Sequence, residues 1–279
     1  MNIKWIGSRL FHVIINIIIL LFSLSCIYPL LWLFNSSLRD NIEFIRDNLK
    51  LAIPPLYENY MNAFSASGMP QAFIYSGFLS ILSVICVVIF AFITGYFISR
   101  YDFRFKKVIY LLFLTGMVIP ILSLLIPVFI QFKLLGILNH RLTLLLPYIA
   151  FSMPFSVILT ENYIKSIPKE MDEAAYMEGC GTMRMLLSVI FPMCIPILSI
   201  LVITSFMGAW NEFPFSLVLV KDVNMRTISV CIRMFNQEHT VNYTLYMAAL
   251  FLTIVPILII YSIFNKRIMD GMTIGAVKG

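Results

Sequence analysis

The side chains of this chain that could do chemistry are concentrated in one short stretch between two long apolar runs. This stretch follows Pro168 and carries four acids, Glu170, Asp172, Glu173 and Glu178. A helix tolerates Pro in its first turn, and acidic groups near a helix N-terminus complement the helix dipole. The stretch therefore predicts a short helix on the membrane surface.

The same stretch predicts a helix–turn–helix elbow. Gly179 and Gly181 are expected to end the first helix, Thr182 to cap a second one, and Pro192 to mark the entry to the next apolar run. Ala174 and Ala175 are small enough to let another protein approach closely.

Motifs for catalysis or nucleotide binding are absent from the sequence. There is no G-x-x-x-x-G-K-[ST], G-x-S-x-G or H-E-x-x-H, and no pair of carboxylates at a catalytic spacing. The cysteines form no C-x-x-C pair and the histidines are far apart: Cys26, Cys86, Cys180, Cys194, Cys231, His12, His140 and His239. We therefore expect a protein that is not an enzyme, binds no metal or cofactor itself, and does not bind nucleic acid.

The composition is that of a membrane protein, with 60% hydrophobic and 12% charged residues among 279. Uncharged runs long enough to cross a bilayer predict an all-α membrane protein with six transmembrane helices in one domain, residues 1–279. The predicted spans are 11–34, 72–99, 108–131, 142–163, 193–219 and 243–264. They leave a loop at 165–192, called the 165–192 loop below, and a tail at 265–279.

The basic residues predict the orientation of these spans. Arg100, Arg104, Lys106 and Lys107 lie in the short connection after the second span, and Lys4 and Arg9 precede the first. Cytoplasmic loops are enriched in Lys and Arg, so we expect both termini and the 165–192 loop in the cytoplasm. The net charge of +6 suits contact with anionic lipid headgroups of the bilayer.

Three segments then resemble one known family. Glu173-Ala174-Ala175, followed by Gly179 and by Val189-Ile190-Phe191-Pro192, resembles the EAA loop of ABC-importer permeases, E-A-A-x3-G-x9-I-x-L-P, with Val and Phe in place of Ile and Leu. Trp210-Asn211-Glu212-Phe213 resembles the W-N-E-F of carbohydrate-type permeases. The end of the chain, from Gly271 to Gly279, resembles their G-x-x-x-G-A-V-K-G tail. The chain is thus similar to the smaller maltose-system permease family.

The resemblance implies a type I ABC-importer permease with a cytoplasmic coupling helix, in a bacterial cell membrane. It assigns ATPase coupling to Glu173, Ala174, Ala175, Gly179 and Pro192, and ATPase contact to Gly271, Gly275, Lys278 and Gly279. It assigns the translocation path or gate to Trp210, Asn211, Glu212 and Phe213. The implied partners are a second homologous permease, two cytoplasmic ABC ATPases that bind ATP and Mg, and an extracytoplasmic solute-binding protein that delivers a sugar or oligosaccharide.

Both the role of Glu212 and the function of the chain have alternative interpretations. Glu212 beside Trp210 could line a gate or could belong to an interfacial anchor, because Trp is common at membrane interfaces. An ion-coupled secondary transporter and a non-transporting membrane scaffold are the alternatives to the importer. The near absence of acids within the spans counts against the first, because coupling ions are usually bound by such groups. The sequence does not specify which sugar is moved.

Overall fold

The fold is described from a computed structural model, which covers residues 3–66, 68–238 and 242–276, with side chains for 11–66, 68–233 and 242–266. Over these residues the regular structure is helical, and no strand is present among them. The prediction of an all-α protein is confirmed.

Three helical segments are long and apolar enough to cross a membrane: Phe11–Ser37, Met69–Arg100 and Tyr243–Lys266. Two helix pairs also qualify if each pair is counted as one broken span, Lys106–Val118 with Ile121–Leu134 and Thr182–Met193 with Ile195–Trp210. The described residues therefore hold up to five such spans. The helix at residues 145–166, where the fourth span was predicted, is not among them, and the count of six spans stays a prediction.

Packing divides the chain into two compact units, Met1–Ala66 with Met234–Ile254, and Ser67–Arg233 with Val255–Gly279. The sequence predicted one domain. The first unit contains α1 (Ile3–Ser37), α2 (Asn41–Arg46), α3 (Glu58–Ser65) and the beginning of α14 (Tyr243–Ala276). The Asp40 carboxylate caps α2 by accepting from the backbone N–H groups of Ile42 and Glu43.

The second unit contains the remaining helices. They are α4 (Met69–Arg100), α5 (Lys106–Val118), α6 (Leu125–Leu134), α7 (Leu145–Ser166), α8 (Glu170–Met177), α9 (Thr182–Met185), α10 (Phe191–Met193), α11 (Ile195–Trp210) and α12 (Pro214–Leu219), with α13 (Ile228–Glu238) as far as Arg233 and the rest of α14. A 3₁₀ turn spans Ile121–Leu124, a π-helical turn spans Leu186–Ile190, and another 3₁₀ turn spans Val223–Met225.

Helix α7 is the central helix of this second unit, and it packs against α4 and α5 through glycines. A Cβ atom on Gly95 of α4 would lie 3.0 Å from Thr160, and one on Gly116 of α5 would lie 2.8 Å from the Pro154 ring. Small residues let helix backbones approach closely, which is how helices associate where burial of apolar surface gives little driving force. These two contacts fix the frame from which the loops described below project.

Two predicted spans are interrupted in the structure. The segment 108–131 breaks before Pro120, and its halves, α5 and the following 3₁₀ turn with α6, are bent by 97°. Proline lacks the N–H that would continue the helical hydrogen bonds. The segment 193–219 breaks after Trp210, and α12 begins only at Pro214.

Between the predicted spans 193–219 and 243–264, where no helix was predicted, the structure contains a packed helix, α13. Helix α13 is amphipathic, and Ile228, Val230 and Cys231 are buried. Its first residue is fixed by a hydrogen bond from the Ile228 N–H to the Ser76 hydroxyl at 2.7 Å. Arg233 of this helix is exposed, as expected for the polar side of an amphipathic helix with a period of 3.6 residues.

Candidate functional site

The 165–192 loop is fastened to the second unit by Arg100, the last residue of α4. The Arg100 guanidinium forms an ion pair with the Asp172 carboxylate at 2.5 Å, and only 6% and 15% of the two side chains are exposed. Arg100 also donates to the Ile167 carbonyl at 3.0 Å. One side chain thus ties both the turn before α8 and the first turn of α8 to the end of a long helix.

A second attachment is apolar. Ala175 of α8 is buried in a cluster of apolar side chains that includes Ile164, Ile167 and Met185. Glu173 and Ala174, two and one residues earlier, are exposed. The three residues of the E-A-A motif therefore have different surroundings: Ala175 anchors the helix, and Glu173 and Ala174 lie on its free face.

The end of α8 is fixed by Gly179, which has φ of +79°. The Gly179 N–H donates to the Tyr176 carbonyl at 2.9 Å, and the Cys180 N–H donates to the Ala175 carbonyl at 3.0 Å. These two bonds are the Schellman motif, which requires a left-handed residue and therefore favours glycine. A Cβ atom on Gly179 would meet nothing within 4 Å, so within this chain the backbone conformation, rather than close packing, requires glycine.

The free face of the loop also carries large apolar side chains. Tyr176 is 73% exposed, Met177 85% and Met183 68%, and Met171 is exposed on the same short helix. Exposed Met and Tyr side chains next to one another are typical of surfaces that bind another protein, because they bury much area and adapt in shape. Together with Glu173 they form an exposed apolar and acidic face.

The second half of the elbow leads into α11 through a distorted helix. Thr182–Met193 and Ile195–Trp210 are bent by 76°. The π-helical turn Leu186–Ile190 lies within the first arm, and Pro192 is exposed in the first turn of α10. The expected cap by Thr182 is wrong: Gly181 occupies the N-cap position of α9, and no side chain caps it. Thr182 is instead the first helical residue.

Burial affects the ionisation of Asp172. It raises the pKa of this carboxyl above its ordinary value, against the opposing effect of the Arg100 guanidinium, which lowers the pKa. The carboxylate of the anchoring pair is therefore held in its charged form less firmly than an exposed aspartate would be.

The Trp210–Phe213 segment, where α11 ends before α12, has one buried residue, Trp210, one exposed residue, Asn211, and two partly buried ones, Glu212 and Phe213. Trp210 is 3% exposed, and its ring stacks on Phe206 with centroids 5.6 Å apart. Asn211 is the exposed C-cap of α11, and Phe213 holds the N-cap position of α12 with the Arg233 guanidinium 5.1 Å above its ring. The interfacial-anchor interpretation of Trp210 does not fit an indole buried in this way.

Glu212 supplies the hydrogen bonds that begin α12. Its carboxylate accepts from the Phe215 N–H at 2.6 Å and from the Ser216 N–H at 2.9 Å, and the Tyr148 hydroxyl lies 3.4 Å away. These N–H groups have no helical partner at the start of a helix, so the carboxylate replaces the missing acceptors. A cavity of about 250 Å³ adjoins Glu212, and its lining is largely apolar and aromatic. The gate role of this segment stays a prediction.

The predicted ATPase-contacting tail is only partly described. Gly271 and Gly275 lie within α14, which continues to Ala276, while Lys278 and Gly279 lie outside the described residues. Helical backbone therefore continues through most of the segment 265–279.

The structure thus brings together the ATPase-coupling residues of the E-A-A motif and Gly179 on one elbow, with Pro192 at its far end. Sequence reasoning missed Arg100 as the anchor of this elbow, because it was read only as a basic flank of α4. It also missed Glu212 as a cap. A signal for the cap was present, since a carboxylate two residues before Pro214 precedes a proline suited to a first helical turn.

The model of the family described as "Binding-protein-dependent transport system inner membrane component" matches residues 87–273. The diacetylchitobiose uptake system permease protein NgcG of Streptomyces coelicolor is 29% identical over 274 residues, 98% of this chain and 91% of that protein. The trehalose/maltose transport system permease protein MalG of Thermococcus litoralis is 28% identical over 263 residues, 93% of this chain and 94% of that protein.

A solved structure has the same fold. It is a chain of a bacterial ABC transporter involved in the import of the acidic polysaccharide alginate, with a TM-score of 0.79 over 93% of this chain and 97% of that chain. The sequence identity is 21%, so this likeness concerns the fold. The predicted resemblance to ABC-importer permeases and the predicted permease architecture are both confirmed.

Proposed function

This chain belongs to the family of binding-protein-dependent transport system inner membrane components, and from this premise we propose that it is a permease subunit of an ATP-driven importer of an oligosaccharide. Family membership places it in a membrane and indicates transport rather than catalysis. The named relatives handle diacetylchitobiose and trehalose or maltose. An oligosaccharide is therefore the class of solute that we assign to this chain.

The observation that carries the proposal is the exposed face of the 165–192 loop. Its backbone is rigidly fixed by Arg100, Ala175 and the Schellman motif at Gly179. Its outer face nevertheless exposes Glu173 and four large apolar side chains. A rigid segment with an exposed apolar face can transmit the movement of a protein bound to it. We infer that the bound protein is a cytoplasmic ATPase subunit.

The proposed assembly contains a second, homologous permease, two ATPase subunits that bind ATP and Mg, and an extracytoplasmic solute-binding protein. Both termini and the 165–192 loop of this chain lie in the cytoplasm of a bacterial cell. ATP-driven closure of the ATPases moves the loop, and the loop moves α11 through the bent arm Thr182–Met193. The paired permeases then alternate between inward-open and outward-open states, as in rigid-body rocking of transporter halves.

The first experiment is purification through a tag on this chain from native membranes in mild detergent, followed by mass spectrometry of what is retained. A P-loop ATPase and a second multi-span protein are expected. Recovery of the chain alone, from membranes in which it is active in uptake, would exclude the importer. Uptake abolished by a protonophore while ATP remains available would instead favour an ion-coupled transporter.

The coupling role is tested by a matched pair of glycine variants. Gly179 and Gly181 are both exposed with open space around them, but only Gly179 has a left-handed backbone. Gly179→Asp should reduce ATP-dependent uptake at least about tenfold, because a displaced α8 loses its docking geometry. Gly181→Asp, which adds the same charge two residues away, should reduce it much less. Equal uptake by the two variants and the unmodified protein would refute the coupling role.

A further inference from the structure

A cavity of about 330 Å³ lies beside the 165–192 loop, at the end of the second unit where α4 ends and α5 begins. We call it the basic cavity. Its lining combines four basic side chains, one carboxylate, two aromatic rings and one aliphatic side chain: Ile98, Phe103, Arg104, Lys106, Lys107, Tyr110, Glu161 and Lys165. It does not include the residues of the anchoring ion pair.

The charges around the basic cavity do not cancel. Lys106 is paired with Asp102 at 2.8 Å, and Lys165 is paired with Glu161. Arg104 and Lys107 make no ion pair with any described side chain. Two cationic groups are therefore available to an anion from outside the chain, in a concave site.

The cavity also lies at the level where lipid phosphates are expected. Helix α4 qualifies as a membrane span, and α5 begins the first bent pair that qualifies as one. Next to the cavity, α5 exposes the apolar side chains of Val108 (54% exposed) and Leu112 (65% exposed). Basic groups at such helix ends lie among headgroups while the apolar side chains contact acyl chains.

We propose that the basic cavity binds the phosphate group of an anionic phospholipid, with Arg104 and Lys107 as its ligands and with Phe103 and Tyr110 against the glycerol and upper acyl carbons. Guanidinium and ammonium groups both bind phosphate oxygens well. The aromatic wall distinguishes a lipid from free phosphate, because inorganic phosphate has nothing to place against it. The proposal goes beyond the transport function and does not depend on which solute is moved.

Glu161 allows the charge of the basic cavity to be changed in the opposite direction. It is 1% exposed and contributes the one carboxylate in the lining. Its charge holds Lys165 and repels an incoming phosphate. Removing that charge should strengthen anion binding, while removing a basic charge should weaken it, within the same cavity.

The test measures lipid retained on the complex purified through this chain, exchanged into detergent with equal amounts of phosphatidylglycerol and phosphatidylcholine, by native mass spectrometry. The unmodified protein should retain phosphatidylglycerol preferentially. The double variant Arg104→Gln and Lys107→Gln should weaken this binding about fivefold for each basic residue removed. Glu161→Gln should strengthen it about fivefold by the same reasoning.

Two controls accompany these variants. Arg104→Lys with Lys107→Arg keeps both charges in place and should keep the lipid, which separates charge loss from misfolding. Arg141→Gln with Lys133→Gln removes one guanidinium and one ammonium group at exposed positions outside the cavity, near the end of α6 and before the start of α7. This variant should leave lipid binding unchanged.

Several outcomes would overturn the proposal. Equal phosphatidylglycerol binding by the unmodified protein and the Arg104 and Lys107 double variant would exclude the site. Displacement of the lipid by millimolar inorganic phosphate would assign the cavity to a free anion instead of a lipid. Unchanged lipid binding together with loss of a co-purifying subunit would identify the basic rim as a protein-docking surface.

Discussion

Two glutamates near helix breaks of the second unit are used in different ways. Glu173, in the 165–192 loop, is exposed on a helix whose other side is anchored by Asp172 and Ala175. Glu212, at the break between α11 and α12, uses its carboxylate to accept two backbone N–H groups. In this chain, a glutamate is available to a partner where neighbouring residues hold the helix in place, as Asp172 and Ala175 do beside Glu173.

The largest expected effect concerns the anchor of the loop. Arg100→Gln leaves the mostly buried Asp172 carboxylate without its partner, and should lower the free energy of unfolding by about 3 kcal/mol. The double variant Arg100→Gln with Asp172→Asn should recover much of this loss, because no unpaired charge remains. Thermal unfolding of the purified protein measures both variants. Failure of the second substitution to recover stability would show that the lost bond from Arg100 to the Ile167 carbonyl dominates.

The second effect concerns Glu212 as the cap of α12. Glu212→Ala leaves two N–H groups of α12 without their acceptor, and should lower stability by about 2 kcal/mol. Glu212→Gln keeps an acceptor oxygen and should cost less. Thermal unfolding and solute uptake are measured in parallel. An Ala variant that unfolds like the unmodified protein but has lost uptake would show that Glu212 acts in the translocation path, contrary to a structural role.

A smaller effect separates backbone conformation from surface contact in the loop. Gly179→Ala puts a Cβ atom on a left-handed residue and should cost about 1 kcal/mol of local stability. Gly181→Ala lies on an ordinary extended backbone at the N-cap of α9, so its cost should fall on α9 and leave α8 unaffected. Hydrogen exchange of the α8 amides should therefore accelerate in the first variant and stay unchanged in the second. Equal acceleration in both would contradict the assignment of the Schellman motif.

The smallest effect is a pH dependence. Because burial raises the pKa of Asp172, the folded protein binds this proton more tightly than the unfolded chain does. Stability contributed by this group is therefore highest at low pH, and falls as the pH rises from the ordinary aspartate value through the raised value. The change should be under about 1 kcal/mol. Hydrogen exchange of α8 over this pH range should show the trend in the unmodified protein and lose it in Asp172→Asn.

Much of the fold and part of the site could be predicted from the residues. The uncharged runs predicted the long helices α1, α4 and α14, because a chain that crosses a bilayer must satisfy its backbone hydrogen bonds within the helix. The end of α8 near Gly179 was predicted for a local reason, since a left-handed residue favours glycine. The packed helix α13 was not predicted, because its polar residues, taken together with those around it in sequence, indicated a loop and its helical periodicity was not recognised.

The sequence by itself determined where the chain is apolar, where α8 ends, and to which family it belongs, because these depend on residue type and near-neighbour spacing. Only the tertiary structure decided which charges have partners. Arg100 meets Asp172 across 72 positions of the chain. Arg104 in the connection between α4 and α5, Lys107 on α5 and Lys165 on α7 line one cavity. Such pairings depend on how α4, α5 and α7 pack, and that packing is set by long-range contacts at Gly95 and Gly116 that no local pattern records.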